Sequence, residues 1–354
     1  MKKAVILLIV LMLAMTGCSK KIETSPDKPF AGTTINVYNW GDYIAEDTIK
    51  EFTEATGIKV VYETFDSNEI MYAKYKSGAV NYDILIPSDY MIEKLIKENE
   101  LLPLNFDNIP NAKYIDGTFK NLAFDPSNAY SVPYMWGTLG ILYNTKLVDD
   151  EVNSWDILWN KKYQGKIIMM DSVRDSFGVA LKRLGYSLNS TSKSEVDKAK
   201  EALVEQAPLV QSYVVDQVKD KMIGEEAALA VIYSGEAIFT SDYNENLAYA
   251  IPQEGTNLFF DAMVIPKTSK NQGAAEVFIN FMNDPQIAFN NTDYIGYSTP
   301  HTEAKAMLEE EVRNDPAAYP SQEIIDKCEV FVDLGAELTN YYNEKWNELK
   351  AALN

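Results

Sequence analysis

A single histidine, His301, occurs in the chain. Centres built from several imidazoles, and Ser-His-Asp chemistry anywhere else, are therefore excluded. Two cysteines, Cys18 and Cys328, set a ceiling of one disulfide, and arginine is limited to Arg174, Arg183 and Arg313. Bases total 32 against 52 acids, a net charge of −20. Such a chain lacks the clustered Lys and Arg that hold phosphate backbones, so no nucleic-acid partner is expected. No GxGxxG or Walker sequence is present to cradle an anion. Neither a metal nor a cofactor is expected. Cationic partners are favoured instead.

What the 354 residues carry in quantity is apolar and aromatic mass. Hydrophobic residues make up 46%, enough to core two domains of ordinary size. The 22 tyrosines, 14 phenylalanines and 5 tryptophans offer ring faces that attract cations. The longest apolar run, residues 4–15, is too short to span a bilayer but has the length of a signal-peptide core behind Lys2 and Lys3. It ends in Met15-Thr16-Gly17-Cys18, a lipobox-like sequence that predicts a signal peptide over 1–17 and a lipid on Cys18. The plainer reading is an ordinary signal peptide with an incidental cysteine. With Cys18 lipidated, Cys328 stands alone. Residues 18–32 are polar, contain Pro26 and Pro29, and read as a lipid-anchored tether. The protein is expected to be exported and held at the outer face of the cell membrane, or in the periplasm.

Beyond the tether the pattern alternates. Residues 34–38 (TINVY), 58–62 (IKVVY), 83–86 (DILI), 166–170 (KIIMM) and 227–233 (AALAVIY) read as strands. Helical spacing covers 46–56, 68–75, 89–97, 173–184 and 193–206, then 272–282, 285–291 and 333–352, with Gly57 placed as a helix C-cap. Strand–helix alternation predicts α/β lobes, each a mainly parallel sheet flanked by helices. Ligands bind beyond the carboxyl ends of such strands. Those ends read Asn39-Trp40-Gly41-Asp42-Tyr43, Pro87-Ser88-Asp89-Tyr90, Asp171-Ser172-Val173-Arg174-Asp175, Tyr233-Ser234-Gly235-Glu236 and Phe259-Phe260-Asp261. Acids, rings and hydroxyls together suit an alkyl-ammonium ligand, with carboxylates for its charged ends and rings for its methylenes.

The strings YNWGDYI, ETFDSNEIMYAKYKSG, YDILIPSDYMIEKL, SVPYMWGTLGI and IGYSTP carry a family resemblance. From about Thr33 onward the chain resembles the extracytoplasmic spermidine/putrescine-binding proteins of polyamine ABC transporters. The resemblance implies a two-lobed periplasmic-binding-protein fold of type II-like build, closing by hinge motion on a ligand in the inter-lobe cleft. It implies one lobe from 33–137 plus 262–303 and another from 138–261 plus 304–354. The implied partners are a polyamine, putrescine or spermidine, and an ABC permease with its cytoplasmic ATPase. By analogy of fold, the protein is a monomer. Carried over residue by residue, Trp40 and Tyr43 match aromatic walls and Asp42 an acid facing one ammonium. Ser88 and Tyr90 match a hydroxyl pair, Asp175 a carboxylate, Tyr233 a ring, Asp261 the acid that grips nitrogen, and Tyr297 the IGY tyrosine. Ser172, Phe259 and Phe331 stand where spermidine-preferring members carry Asp, Trp and Gln. Losing polar partners at Ser172 and Phe331 penalises a third ammonium, which favours putrescine, with dual specificity as the competing expectation.

Blander readings accompany these residues. Ser172-x-x-Asp175 is also a capping box, Ser88 a helix N-cap, and Glu236 a cleft acid or a solvated one. Trp155 and Trp159, four apart, suit a lobe core, and His301 a surface or helix start. Trp136 suits either core or cleft wall. The rival functions are a binding protein of the same fold for another small solute, a secreted carboxylate-based hydrolase, and a surface adhesin. No carboxylate pair stands at a fixed catalytic spacing in the sequence, so the chain is not read as an enzyme.

Overall fold

The computed structural model describes residues 28–352. The expected signal peptide, Cys18 and the tether up to residue 27 lie outside the described residues. The last residues of the expected tether are docked on the body. Phe30 packs on a hydrophobic core, and the Gly32 amide donates to Gly57 O at 2.8 Å.

The chain opens with β1 (Thr34–Trp40), α1 (Thr48–Thr56), β2 (Lys59–Phe65), α2 (Asn68–Ser77), β3 (Ile84–Leu85) and α3 (Asp89–Lys97). Strand β1 alternates toward full burial, and α1 buries Phe52 before ending on Gly57 in the left-handed conformation, φ 75°. Then comes the 14-residue β4 (Ser131–Asn144), followed by β5 (Ile167–Met170), α4 (Val173–Arg183), α5 (Lys193–Gln206) and β6 (Val210–Val214). After these run α6 (Val218–Ile223), β7 (Leu229–Tyr233), α7 (Ser234–Asp242), β8 (Leu247–Ala250), β9 (Leu258–Val264), α8 (Gln272–Met282) and α9 (Pro285–Ile295). Short helical turns lead to the C-terminal helix Gly335–Ala352.

Nine strands form one curled sheet in the order β2-β1-β3-β9-β4-β7-β5-β6, with β8 beside β4. Parallel pairing joins β1 to β2 and β3 in one half, and β5 to β6 and β7 in the other. Each antiparallel pairing involves β4 or β9. The sheet is therefore more mixed than the expected mainly parallel lobes. The reason is connectivity: β4 runs out of the first half into the second, and β9 runs back beside it. Residues 131–138 of β4 pair with β9, while 139–143 pair with β7. Two glycines permit this crossing. A Cβ on Gly137 would lie 2.6 Å from Ser234 Oγ, and one on Gly140 2.4 Å from the Tyr249 ring.

Each half keeps its own core. Phe52, Phe278 and Ile84 centre one face of the first half; Tyr38, Tyr82 and Trp136 centre the other. Trp155 and Trp159 lie in the second half's main core, beside Tyr342 and Trp346 of the C-terminal helix. Leu258 and Phe260, and later Tyr319, Ile325 and Val330, pack in the first half, so packing divides both expected stretches of the second lobe, 138–261 and 304–354. His301 starts the helix Thr302–Met307 as expected, but it is buried rather than on the surface. Its Nδ1 accepts from the Ala304 amide at 3.1 Å, which leaves Nε2 to donate to Asn283 O.

Candidate ligand site

A cavity of about 310 Å³ lies between the two halves, within the range of small-ligand sites. The segments that follow β1, β2, β3, β5, β6 and β7 all reach it, so it occupies the carboxyl edge of the parallel strands.

Its centre is Asp261. This side chain does not follow a strand, as the sequence suggested, but sits within β9, in an isolated bridge with Ser88. Only 4% of Asp261 is exposed. Ser88 Oγ donates to Oδ1 and Tyr43 OH to Oδ2, both at 2.7 Å. Burial pushes its carboxyl up to about 6, while these two hydroxyls pull the other way. Ser88 occupies the N-cap position of α3, yet its hydroxyl makes no cap bond and serves Asp261 instead. Neighbouring Asp89 is fully buried, accepts the Tyr90 and Phe260 amides at 2.7 and 3.0 Å, and is raised by burial to about 8. It pins β9 to α3.

Asp175 forms one end of the cavity. Ser172 Oγ and Tyr233 OH donate to its Oδ2 at 2.6 and 2.8 Å, and the Asp175 amide donates back to Ser172 Oγ at 3.4 Å. The capping box and the cavity wall are thus the same residues. Asp175 Oδ1 is buried and has no hydrogen-bond partner among the described residues. Burial raises this carboxyl also, against the two hydroxyls. Beside it, the Arg174 guanidinium lies 4.2 Å from the Phe331 ring centre and 5.4 Å from that of Tyr90, and donates to Asn189 Oδ1 and Val332 O.

Rings join this end to the other. Tyr233 meets Phe259 at 5.1 Å between centroids, Phe259 meets Tyr297 at 5.8 Å, and Tyr297 meets Tyr43 at 5.2 Å. Trp40 packs on Phe65 at 4.5 Å, and its indole Nε1 is buried without a partner among the described residues. At the far end lies Glu236, raised by burial to about 7 although Lys219 opposes this.

Of the sequence-derived candidates, Trp40, Tyr43, Ser88, Tyr90, Asp175 and Tyr233 line the cavity, as do Glu236, Phe259, Asp261, Tyr297 and Phe331. Asp42 does not. Its side chain is 83% exposed at φ 48° and pairs with Lys219 Nζ at 3.2 Å. Trp136 is in the core and not in the lining. Asp66, Glu69 and Asp216 also line the cavity, beyond the strand-end candidates of the sequence. The first two sit in the quoted ETFDSNEI string; Asp216 follows β6, whose half-exposed residues leave little pattern to read. The lining holds eight carboxylic acids and one base, Arg174. A solute with positive charge fits that balance.

The profile of the bacterial extracellular solute-binding protein family matches residues 47–320. The chain belongs to this family. A spermidine/putrescine-binding periplasmic protein of Escherichia coli K12 is 36% identical over 322 residues, covering 90% of this chain and 92% of its own. A putrescine-binding periplasmic protein of Pseudomonas aeruginosa is 33% identical over 336 residues, with coverage of 90% and 92%. A solved structure described as a spermidine/putrescine ABC transporter from Listeria monocytogenes shares 44% identity at TM-score 0.87, covering 90% of this chain and 99% of its own. An extracellular solute-binding protein holds its solute without transforming it, so the hydrolase alternative falls. The two-lobed binding-protein fold follows from the same likeness. Among the described residues, no helix is long and apolar enough to cross a membrane.

Proposed function

We propose that this solute-binding protein captures a short polyamine outside the membrane and delivers it to an ABC permease driven by a cytoplasmic ATPase. One observation carries the reading. Asp261 is a buried carboxylate whose two bonded partners are uncharged hydroxyls. An ionised acid in such a place is costly unless a cation joins it. Asp175 Oδ1, at one end of the ring floor, is a second acceptor awaiting a donor. An alkyl chain with an ammonium at each acid lays its methylenes on Phe259, Tyr297 and Tyr233, and a ring face that meets an ammonium adds about 0.5–2 kcal/mol of cation attraction. A zwitterionic amino acid fits less well, because the lining offers its carboxylate one base among eight acids, and both terminal nitrogens of that Arg174 already bond Val332 O and Asn189 Oδ1.

The names of the relatives at 33–36% identity, which bind spermidine and putrescine or putrescine, support the same class of ligand. At the Asp175 end, Phe331 and Ser172 offer little to a third ammonium, so putrescine is the preferred ligand in this reading. The chain acts as a monomer, anchored by a lipid on Cys18. Calorimetric titration with putrescine, spermidine, a neutral sugar and an amino acid tests the proposal. Saturable binding of the amines alone is the expected result. Binding of the sugar or the amino acid with no amine response would refute it.

A further inference from the structure

The ion pair between Asp42 and Lys219 has a place that the polyamine reading does not use. Asp42 follows β1 in the first half, and Lys219 is on α6 in the second, so the pair spans the two halves. The Lys219 side chain is only 17% exposed. Burial disfavours its charge, yet Glu236, Asp42 and Asp216 together hold its ammonium above the ordinary lysine value. Two of these acids, Glu236 and Asp216, line the ligand cavity; Lys219 itself does not. Its ammonium also lies 5.8 Å from the Phe239 ring centre, so a ring and an acid flank it.

We propose that Lys219 is a built-in cation lying behind the Glu236 end of the ligand cavity, where it serves the acids of that end and thereby sets the number of ammonium groups the site accepts. This inference rests on the polyamine reading above and adds a determinant of ligand length to it. The two acids that line this end, Glu236 and Asp216, would otherwise call for an external cation, and a triamine could supply it by running past Asp261. With the lysine ammonium already there, a third ammonium meets like charge instead of a counterion, and like charges brought together in a partly dry site repel strongly. A diamine stopping at Asp261 is untouched. Specificity thus comes from a repulsive element as well as from attractive ones.

The test compares putrescine and spermidine on wild type, Lys219→Met, Lys219→Gln and Lys219→Arg by calorimetry. The Met and Gln variants should shift the putrescine-to-spermidine affinity ratio at least tenfold toward spermidine, while Arg, which keeps the charge, should retain the wild-type ratio. Asp42→Asn separates this from a simple clasp. It breaks the pair but leaves the lysine, so the ratio should stay within threefold of wild type even if both affinities fall. An unchanged ratio in folded Met and Gln variants overturns the role of Lys219 while leaving polyamine binding intact. Failure of the wild type to bind either amine overturns the polyamine reading and this inference together.

Discussion

Asp261 concentrates the chemistry of the site in one side chain. Removing one desolvated partner from a charge pair costs about 2–5 kcal/mol, roughly 30- to several-thousand-fold in affinity. Asp261→Ala should therefore nearly abolish amine binding by calorimetry with an unchanged circular dichroism spectrum; a retained dissociation constant would remove Asp261 from the site. Its raised carboxyl also fixes the direction of pH dependence. With its value near 6 in the fold, the ligand-free protein holds a proton here over a range, about pH 4 to 6, in which the unfolded chain has released it. Ionising Asp261 thus penalises the ligand-free fold fully above about pH 6, and the penalty disappears below about pH 4. An ammonium relieves the penalty only when the acid is ionised. Affinity should accordingly weaken about tenfold between pH 7 and pH 5 from this group alone. Affinity that rises on acidification would contradict this account. The residue was legible in the sequence because an acid next to Leu258-Phe259-Phe260 demands a partner. Its hydroxyl partner Tyr43 lies 218 residues away, and spacing alone could not pair the two.

Among the elements, α3, α5 and α8 have the bounds that periodicity predicts, because amphipathic spacing and terminal turn residues agree there. Strand β4 gives no such signal. Residues 131–142 are buried without alternation, and Pro133, Gly137 and Gly140 interrupt the apolar run like turn residues. Tertiary contacts, not local propensity, make it a strand. Ser234, Phe259 and Tyr249 occupy the space that side chains at the two glycines would need. Gly140→Ala should therefore force Tyr249 and the Ala250 carbonyl aside, costing about 1–3 kcal/mol and lowering the thermal midpoint by several degrees. An unchanged midpoint would mean that β4 and β8 part easily. Missing β4 also concealed the mixed character of the sheet, since its antiparallel pairings all run through β4 or β9.

For the whole molecule, the lobes were legible from strand–helix alternation, but their boundaries were not, since cores form between segments far apart in sequence. The N-terminal address invites a separate test. Cys18→Ala should leave the protein unprocessed or release it to the medium. A mature-sized variant fractionating with membranes would refute lipidation. Topology adds a consequence of its own. The described chain passes between the halves three times, through β4, through β9, and again after Val330, where it leaves the first core for the C-terminal helix on the second. Three is odd, so the two ends of the described chain belong to opposite halves. Phe30 is fastened to one and Trp346 to the other. An N-terminal lipid would then moor the first half alone, leaving the second to swing like a door on a fixed frame, with the C-terminal helix riding on the moving leaf.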